Sequence, residues 1–189
     1  MAAEDLRTDE ALMLAYRDGD AAAFETLYAR HRAKLYRYLA HQCGDARLAE
    51  ELYQDIWLRV INARAEYEVS AKFTTWLYRI AHHRLIDHYR RHAREKLREW
   101  EAEDESIEDY PAPASATPPA EVERLQLKER IANALAELPA AQREAFLMAE
   151  EGGMTLEEIA SATGAGRETV KSRLRYALGK LRHALKDLL

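Results

Sequence analysis

Apolar residues return every three or four positions along most of the chain and nowhere alternate strictly with polar ones, a pattern that predicts helices and no strands. Phe24, Leu27, Tyr28, Leu35 and Leu39 form one such stripe, with Asp20 placed to cap it. After Asp45, the spacing of Leu48, Leu52, Ile56 and Val60 in fours predicts a second helix. Ser70 is placed to cap a long helix carrying Phe73, Trp76, Leu77, Ile80 and Leu85, and a short helix near Thr8 to Arg17 precedes them all. These segments group into a first domain over 1–97.

A second domain is predicted over 122–189. Leu125, Ile131, Leu135 and Leu138 share a helical face that Pro139 ends, and a helix from Ala140 to Glu150 stops at Gly152 and Gly153. Thr155 can cap the next helix, with Glu158 as its reciprocal partner. Gly164 then breaks the chain before a last helix from about Arg167 to Leu185. Leu156, Ile159, Ala160, Val170, Leu174, Leu178 and Leu181 are the expected seam of this helix-turn-helix.

Between the two lies 98–121. Its run "EWEAEDESIED" holds seven acidic residues and no basic one, and "YPAPASATPPAE" holds four of the five prolines. Like charges repel and proline removes helical donors, so no packed core is expected there. The fold class is therefore all-α: two small helical domains joined by an acidic, Pro-rich flexible linker, the C-terminal one a helix-turn-helix four-helix domain.

Charge changes the picture once its distribution is seen. The chain has 189 residues and a formal charge of −5, but without the acidic run the balance turns positive. No apolar run approaches the roughly 20 residues of a membrane span, and the start "MAAEDLRTDE" lacks the features of a secretory signal. A cytoplasmic location without membrane insertion is expected. The single cysteine, Cys43, reads as a semi-buried structural residue in preference to a redox thiol.

The exposed side of the last helix carries Arg167, Lys171, Ser172, Arg175 and Tyr176, side chains that can meet phosphates and base edges in a major groove. His82, His83, Asp87 and His88 in "HHRLIDH" invite a rival reading as a metal centre of an enzyme. Arg84, Arg90, Arg91 and Arg94 crowd that run with positive charge better suited to phosphates, so no metal, cofactor or catalysis is expected. A third reading is a dimeric DNA-binding regulator with a helical sensor domain, which would bind its duplex site unaided.

The stretch "LPAAQREAFLMAEEGGMTLEEIASATGAGRETVKSRLRYALGKLR" resembles the promoter-binding C-terminal domain of bacterial extracytoplasmic-function sigma factors. The first domain resembles that family's other half in "DAAAFETLYARHRAKLYRYL", "AEELYQDIWLRV" and "FTTWLYRIAHHRLIDHYRR". The resemblance covers most of the chain outside the linker and extreme N-terminus. It implies a non-catalytic initiation factor that binds core RNA polymerase, at the largest-subunit coiled coil and the flap, and promoter DNA. It also implies an anti-sigma factor as a further partner, and a chain lacking the N-terminal autoinhibitory and middle domains of larger sigma factors.

The resemblance assigns residues by matching position. Glu51, Gln54, Asp55 and Trp57 would contact polymerase, with Glu51 and Asp55 sharing a helix face toward partner arginines and Trp57 offering contact area. Tyr67, Glu68, Ser70 and Lys72, in the loop "YEVSAK" and at its edge, would act with His83, Arg90 and Arg91 on the −10 element. His83 stands where the family often has Asn, while Phe73, Trp76, Leu77 and Ile80 are expected in the core. Arg167, Thr169, Lys171, Ser172, Arg175 and Tyr176 would act on the −35 element, with Arg173 supporting the fold or backbone contacts. Glu168 and Tyr176 depart from the commoner Gly and Arg. The acidic linker would either occupy the place of RNA phosphates in a cationic channel or serve as a plain spacer.

Overall fold

The computed structural model describes residues 6–100 and 119–186, of which 94–100 and 119–124 are described by backbone alone. In chain order the helices are α1 (Asp9–Arg17), α2 (Ala21–Cys43), α3 (Ala46–Asn62), α4 (Phe73–Trp100), α5 (Pro119–Ala136), α6 (Ala140–Glu150), α7 (Leu156–Thr163) and α8 (Arg167–Ala184). A short 3-10 turn at Ala63–Glu66 follows α3, and no strand occurs among the described residues. The ends of α4 and α5 reach into the stretch read as linker. The greater part of its acidic run, from Glu101 onward, lies outside the described residues.

Local chemistry sets most boundaries. The Thr8 hydroxyl accepts from the Ala11 amide at 3.2 Å, Asp20 accepts from Ala23 at 3.3 Å, and Asp45 accepts from Arg47 and Leu48 at 2.8 and 3.1 Å. Each satisfies donors that a helix start leaves without partners. Ser70 does not cap α4. The Phe73 amide at that helix start donates instead to the Glu10 carboxylate at 2.7 Å, a partner 63 residues earlier in the chain. Sequence spacing names local caps and is silent about distant ones.

In the first half, Leu12 and Met13 of α1, Leu27, Leu35 and Leu39 of α2, Leu52, Ile56 and Val60 of α3, and Phe73 and Leu77 of α4 are fully buried. Beside them Phe24, Tyr28, Tyr53 and Trp57 form an aromatic cluster with ring centroids 5.0 to 6.5 Å apart.

In the second half, Thr155 and Glu158 make the reciprocal cap of α7, the Glu158 amide donating to the Thr155 hydroxyl at 3.3 Å and the Thr155 amide to the Glu158 carboxylate at 2.8 Å. Gly164 takes φ of 67° in the turn, a conformation L side chains rarely adopt, and α8 folds back on α7. The seam is the expected one except at Leu178, with Leu156, Ala160 and Leu174 partly buried against the core. Ile159, Ala162, Val170, Ala177 and Leu181 are buried, whereas Leu178 is 39% exposed. Leu125 and Ile131 are likewise exposed rather than facing a core.

The halves pack on each other. Helix α2 lies against α6, and α4 against α7. Glu144 on α6 accepts from Tyr38 Oη at 3.1 Å and lies 2.7 Å from His82 Nδ1, both from the first half. Arg37 makes a forked contact to Glu151, its Nε at 3.0 and 2.9 Å from the two carboxylate oxygens, and Arg79 donates to the Ser161 hydroxyl at 2.9 Å. Tyr38 and Tyr78, both buried, meet edge to face with ring centroids 5.0 Å apart.

Candidate polymerase and nucleic-acid surfaces

On α3, Glu51 and Gln54 are exposed and point away from the core, and Gln54 Nε2 donates to Glu50 at 3.1 Å. Asp55 is different. Its carboxylate is hydrogen-bonded and ion-paired with the guanidinium of Arg84 on α4, whose side chain is 7% exposed. It therefore anchors α3 to α4 while keeping 43% of its own side chain in solvent. Trp57 corrects the expectation outright: at 5% exposure it is a core residue of the aromatic cluster and offers no broad contact area. An i, i+3 spacing from an exposed Gln54 does not separate these cases, because helix faces grade into one another.

The segment 67–72 runs from the 3-10 turn to α4. Tyr67 is buried to 3% exposure, against the expectation of a base contact, with its ring centroid 5.1 Å from that of Trp76. Burial pushes its phenol up to about 12, and the charges of Glu10 and Asp9 add to that. Glu68, Val69 and Ser70 form an exposed tip, Val69 being 53% exposed. Lys72 ends the loop and is ion-paired with Glu158 of α7 at 2.8 Å, which raises the lysine's affinity for its proton and lowers that of the glutamate. A residue read for the −10 element thus touches the first helix of the helix-turn-helix.

A hollow of about 430 Å³ opens beside this loop, lined by Arg59, Asn62 and Ala63 from the end of α3 and by Trp76, Ile80 and His83 from α4. His83 is exposed at its rim. Trp76 and Ile80, expected in the core, are half-buried and form its apolar wall. Arg59 and Asn62 escaped the sequence reading. Their one signal is that they are polar residues three apart on the outward face of α3, just before a chain reversal. Arg90 and Arg91 are exposed farther along α4.

The histidine-rich run does not converge. His82 turns inward to Glu144, His83 outward to the hollow, and His88 meets Tyr89 edge-on and stacks with His92, with centroids 5.7 and 6.0 Å away. Among the described residues no group of three metal-ligating side chains comes together. Burial pushes the Cys43 thiol up to about 11, with the nearby Asp45 carboxylate adding to it. A thiol held protonated in this way is a weak nucleophile near neutral pH.

On α8, Arg167, Thr169, Lys171, Arg175 and Tyr176 are exposed and Ser172 is partly so. Glu168 sits among them and is paired at 3.0 Å with Arg167 and at 3.4 Å with Lys171. Arg167 also pairs with Glu157 of α7, and the hydrogen bond and charge of that carboxylate raise its pKa further. The guanidinium of Arg175 lies 5.0 Å from the ring centroid of Tyr176 and donates to its hydroxyl at 3.4 Å. Arg173 turns away, into the crevice between the two halves.

A helical domain with a polar-rimmed hollow, joined to a helix-turn-helix with a cationic second helix, is the plan of a sigma-70-type initiation factor. Sequence comparison agrees: the sigma-70 region 2 model matches residues 27–95 and the sigma-70 region 4 model matches 128–181. The sigma factor CarQ of Myxococcus xanthus is 34% identical over 175 residues, covering 92% of this chain and 95% of that one. The ECF sigma factor RpoE of Cereibacter sphaeroides is 37% identical over 180 residues, covering 93% and 94%. The chain belongs to the ECF RNA polymerase sigma factors, proteins that bind core RNA polymerase and direct promoter-specific transcription initiation. Solved structures show the same fold. CnrH, in complex with the cytosolic domain of CnrY, superposes with a TM-score of 0.69 at 23% identity, covering 96% of this chain and 99% of that one. RpoE of Bartonella quintana, in complex with the anti-sigma factor NepR, gives 0.67 at 23% identity, covering 86% and 96%.

Proposed function

We propose that this ECF sigma factor engages core polymerase through Glu51, Gln54 and the solvent-facing side of Asp55, captures a flipped −10 base in the hollow beside His83, and reads the −35 duplex with α8. The observation that carries the proposal is the hollow itself. Trp76 supplies a surface for stacking, His83 and Asn62 supply groups that can pair with a base edge, and Arg59 supplies a cation for the adjoining phosphate. Opening a duplex without nucleotide hydrolysis requires such a trap, because each lost stacking step must be replaced by protein contacts. On α8, Arg175 is the base reader, Lys171, Arg167 and Thr169 hold phosphates, and Ser172 and Tyr176 complete the face. The −10 loop contributes Glu68, Ser70 and Lys72, with Arg90 and Arg91 tracking the strand, and Tyr67 supports the loop from beneath.

Two elements about 25 base pairs apart lie about 85 Å apart along a duplex at roughly 3.4 Å per pair. A compact chain of 189 residues has a radius of gyration of about 16 Å. The halves therefore separate when both elements are engaged, releasing Lys72 from Glu158. Two solved structures of this fold hold a partner: the sigma factor RpoE with the anti-sigma factor NepR, and CnrH with the cytosolic domain of CnrY. An anti-sigma factor is proposed for this chain as well. The chain has no catalytic role of its own and works in the cytoplasm. No described helix is long and apolar enough to cross a membrane.

The test is open-complex formation by holoenzyme carrying His83→Ala, followed by permanganate reactivity of the −10 thymines. The expected result is about a tenfold loss of opening with relaxed preference at one −10 position, and unchanged affinity for an isolated −35 duplex. Equal opening by the variant and the parent would refute the base trap.

A further inference from the structure

Helix α1 lies outside both matched regions, the first of which begins at residue 27. It buries Leu12, Met13 and Tyr16 against the first-half core. Its polar residues are nonetheless placed in a particular way. Glu10 accepts from the Phe73 amide at 2.7 Å, at the downstream end of the loop 67–72. Arg17 donates through Nη1 to the Tyr67 carbonyl at 3.4 Å, at the upstream end. Glu10 and Arg17 are seven residues apart, two turns along one helix face, so a single rigid rod of about 10 Å contacts both ends of the loop. Between them, Tyr16 takes a hydrogen bond at 3.3 Å from Arg64 in the 3-10 turn, and the guanidinium lies 5.2 Å from its ring centroid.

The rod is itself fixed. Asp9 pairs with Arg30 at 2.7 Å and with His31 at 2.6 Å, both on α2. The loop between the two clamped ends has one internal backbone bond, from the Ser70 amide to the Glu68 carbonyl at 3.0 Å, and its tip faces solvent. Fixed ends and an exposed tip are what capture of an extruded base requires. The tip is held near its working position, so little ordering cost falls on the binding step.

We infer that Glu10 and Arg17 are positioning residues for −10 reading, acting through the loop 67–72 by clamping its two ends to α1. The inference rests on the proposal that this loop takes part in base capture. Neither side chain touches DNA in this account. Glu10→Gln keeps an accepting oxygen for the Phe73 amide, whereas Glu10→Ala removes it and leaves that amide unpaired.

The experiment compares Glu10→Ala, Glu10→Gln and Arg17→Ala in the full chain, by amide exchange of the free protein and by holoenzyme selectivity across −10 and −35 variants. Glu10→Ala should speed exchange in 67–73 by about tenfold, leave α2 and α3 protected, and reduce −10 discrimination by a similar factor, with −35 discrimination unchanged. Glu10→Gln should restore both. Unchanged exchange in the loop would show that α1 is no clamp and overturn the inference. Faster exchange with intact −10 discrimination would overturn it differently, by showing that the loop does not read the base. Should Glu10→Ala fail to fold, Arg17→Ala decides the matter, because Arg17 is exposed and its removal leaves the buried side of α1 intact.

Discussion

The candidate −35 face and the candidate −10 hollow differ in how they are built. The first comes from one helix: Arg167, Lys171, Arg175 and their neighbours project from α8, and α7 serves to hold that helix at its angle. The second is lined by the end of α3, the first residue of the 3-10 turn and the first half of α4, while α1 braces the loop that joins them. Damage should spread accordingly. A change on α8 alters recognition and little else, while a change around the hollow disturbs stability and recognition together.

The sharpest test of that difference is Asp55→Arg beside Gln54→Ala. Asp55 is the counter-ion of a nearly buried Arg84, so reversing its charge sets two cations against each other. We expect a loss of about 3 kcal/mol in thermal or denaturant unfolding together with weaker binding to core polymerase. Gln54→Ala should change stability by less than about 0.5 kcal/mol and weaken polymerase binding alone. Equal stability of the two variants would break the contrast.

Next in size is the face on α8. Arg175→Ala should cost about 2 kcal/mol of promoter binding and relax preference at one or two −35 base pairs. Lys171→Ala should weaken all sequences evenly and flatten the dependence on salt. Holoenzyme binding to a −35 library at two salt concentrations separates the outcomes. Uniform loss for Arg175→Ala would make it a phosphate contact, and melting temperatures shifted by either variant would deny that this face is independent of the fold.

The smallest effect concerns acid. Burial raises the Asp9 carboxyl, but hydrogen bonds from His31 and Arg30 and their positive charge more than offset this, so its folded value lies below the ordinary 3.8. A depressed carboxylate stabilises the fold above its unfolded value, and that contribution is lost as pH falls through the folded one. Asp9→Asn should lower stability by about 1 kcal/mol at neutral pH and flatten the acid limb below about pH 4. An acid limb identical to the parent's would remove Asp9 as an anchor of α1.

Those effects track what could be read without coordinates. The helix-turn-helix was legible because its determinants are local: the Thr155–Glu158 cap, the Gly164 turn and the cationic spacing all fall within 28 residues, 155–182. Even there, periodicity alone did not resolve Leu178 from Ala177, which sit 100° apart on the same helix and trade places between seam and surface. Around the hollow the pattern misled. Trp76 and Ile80 fit the buried stripe of α4 and yet line an opening, and Trp57 and Tyr67 are covered by residues distant in sequence.

By itself the sequence determined the all-helical class, the order of the helices, most of their caps, the cationic face of α8 and the likeness to ECF sigma factors. Each depends on residues within one or two turns of one another, or on motifs read in order. Tertiary structure alone decided that Glu10 caps α4 from 63 residues away, that Asp55 is bound to Arg84, and that Glu144 receives Tyr38 and His82. A hydrogen bond or ion pair between distant segments leaves no period in the chain. It exists only once burial of the apolar stripes has brought the helices together, and the polar groups then take the partners that packing leaves within reach.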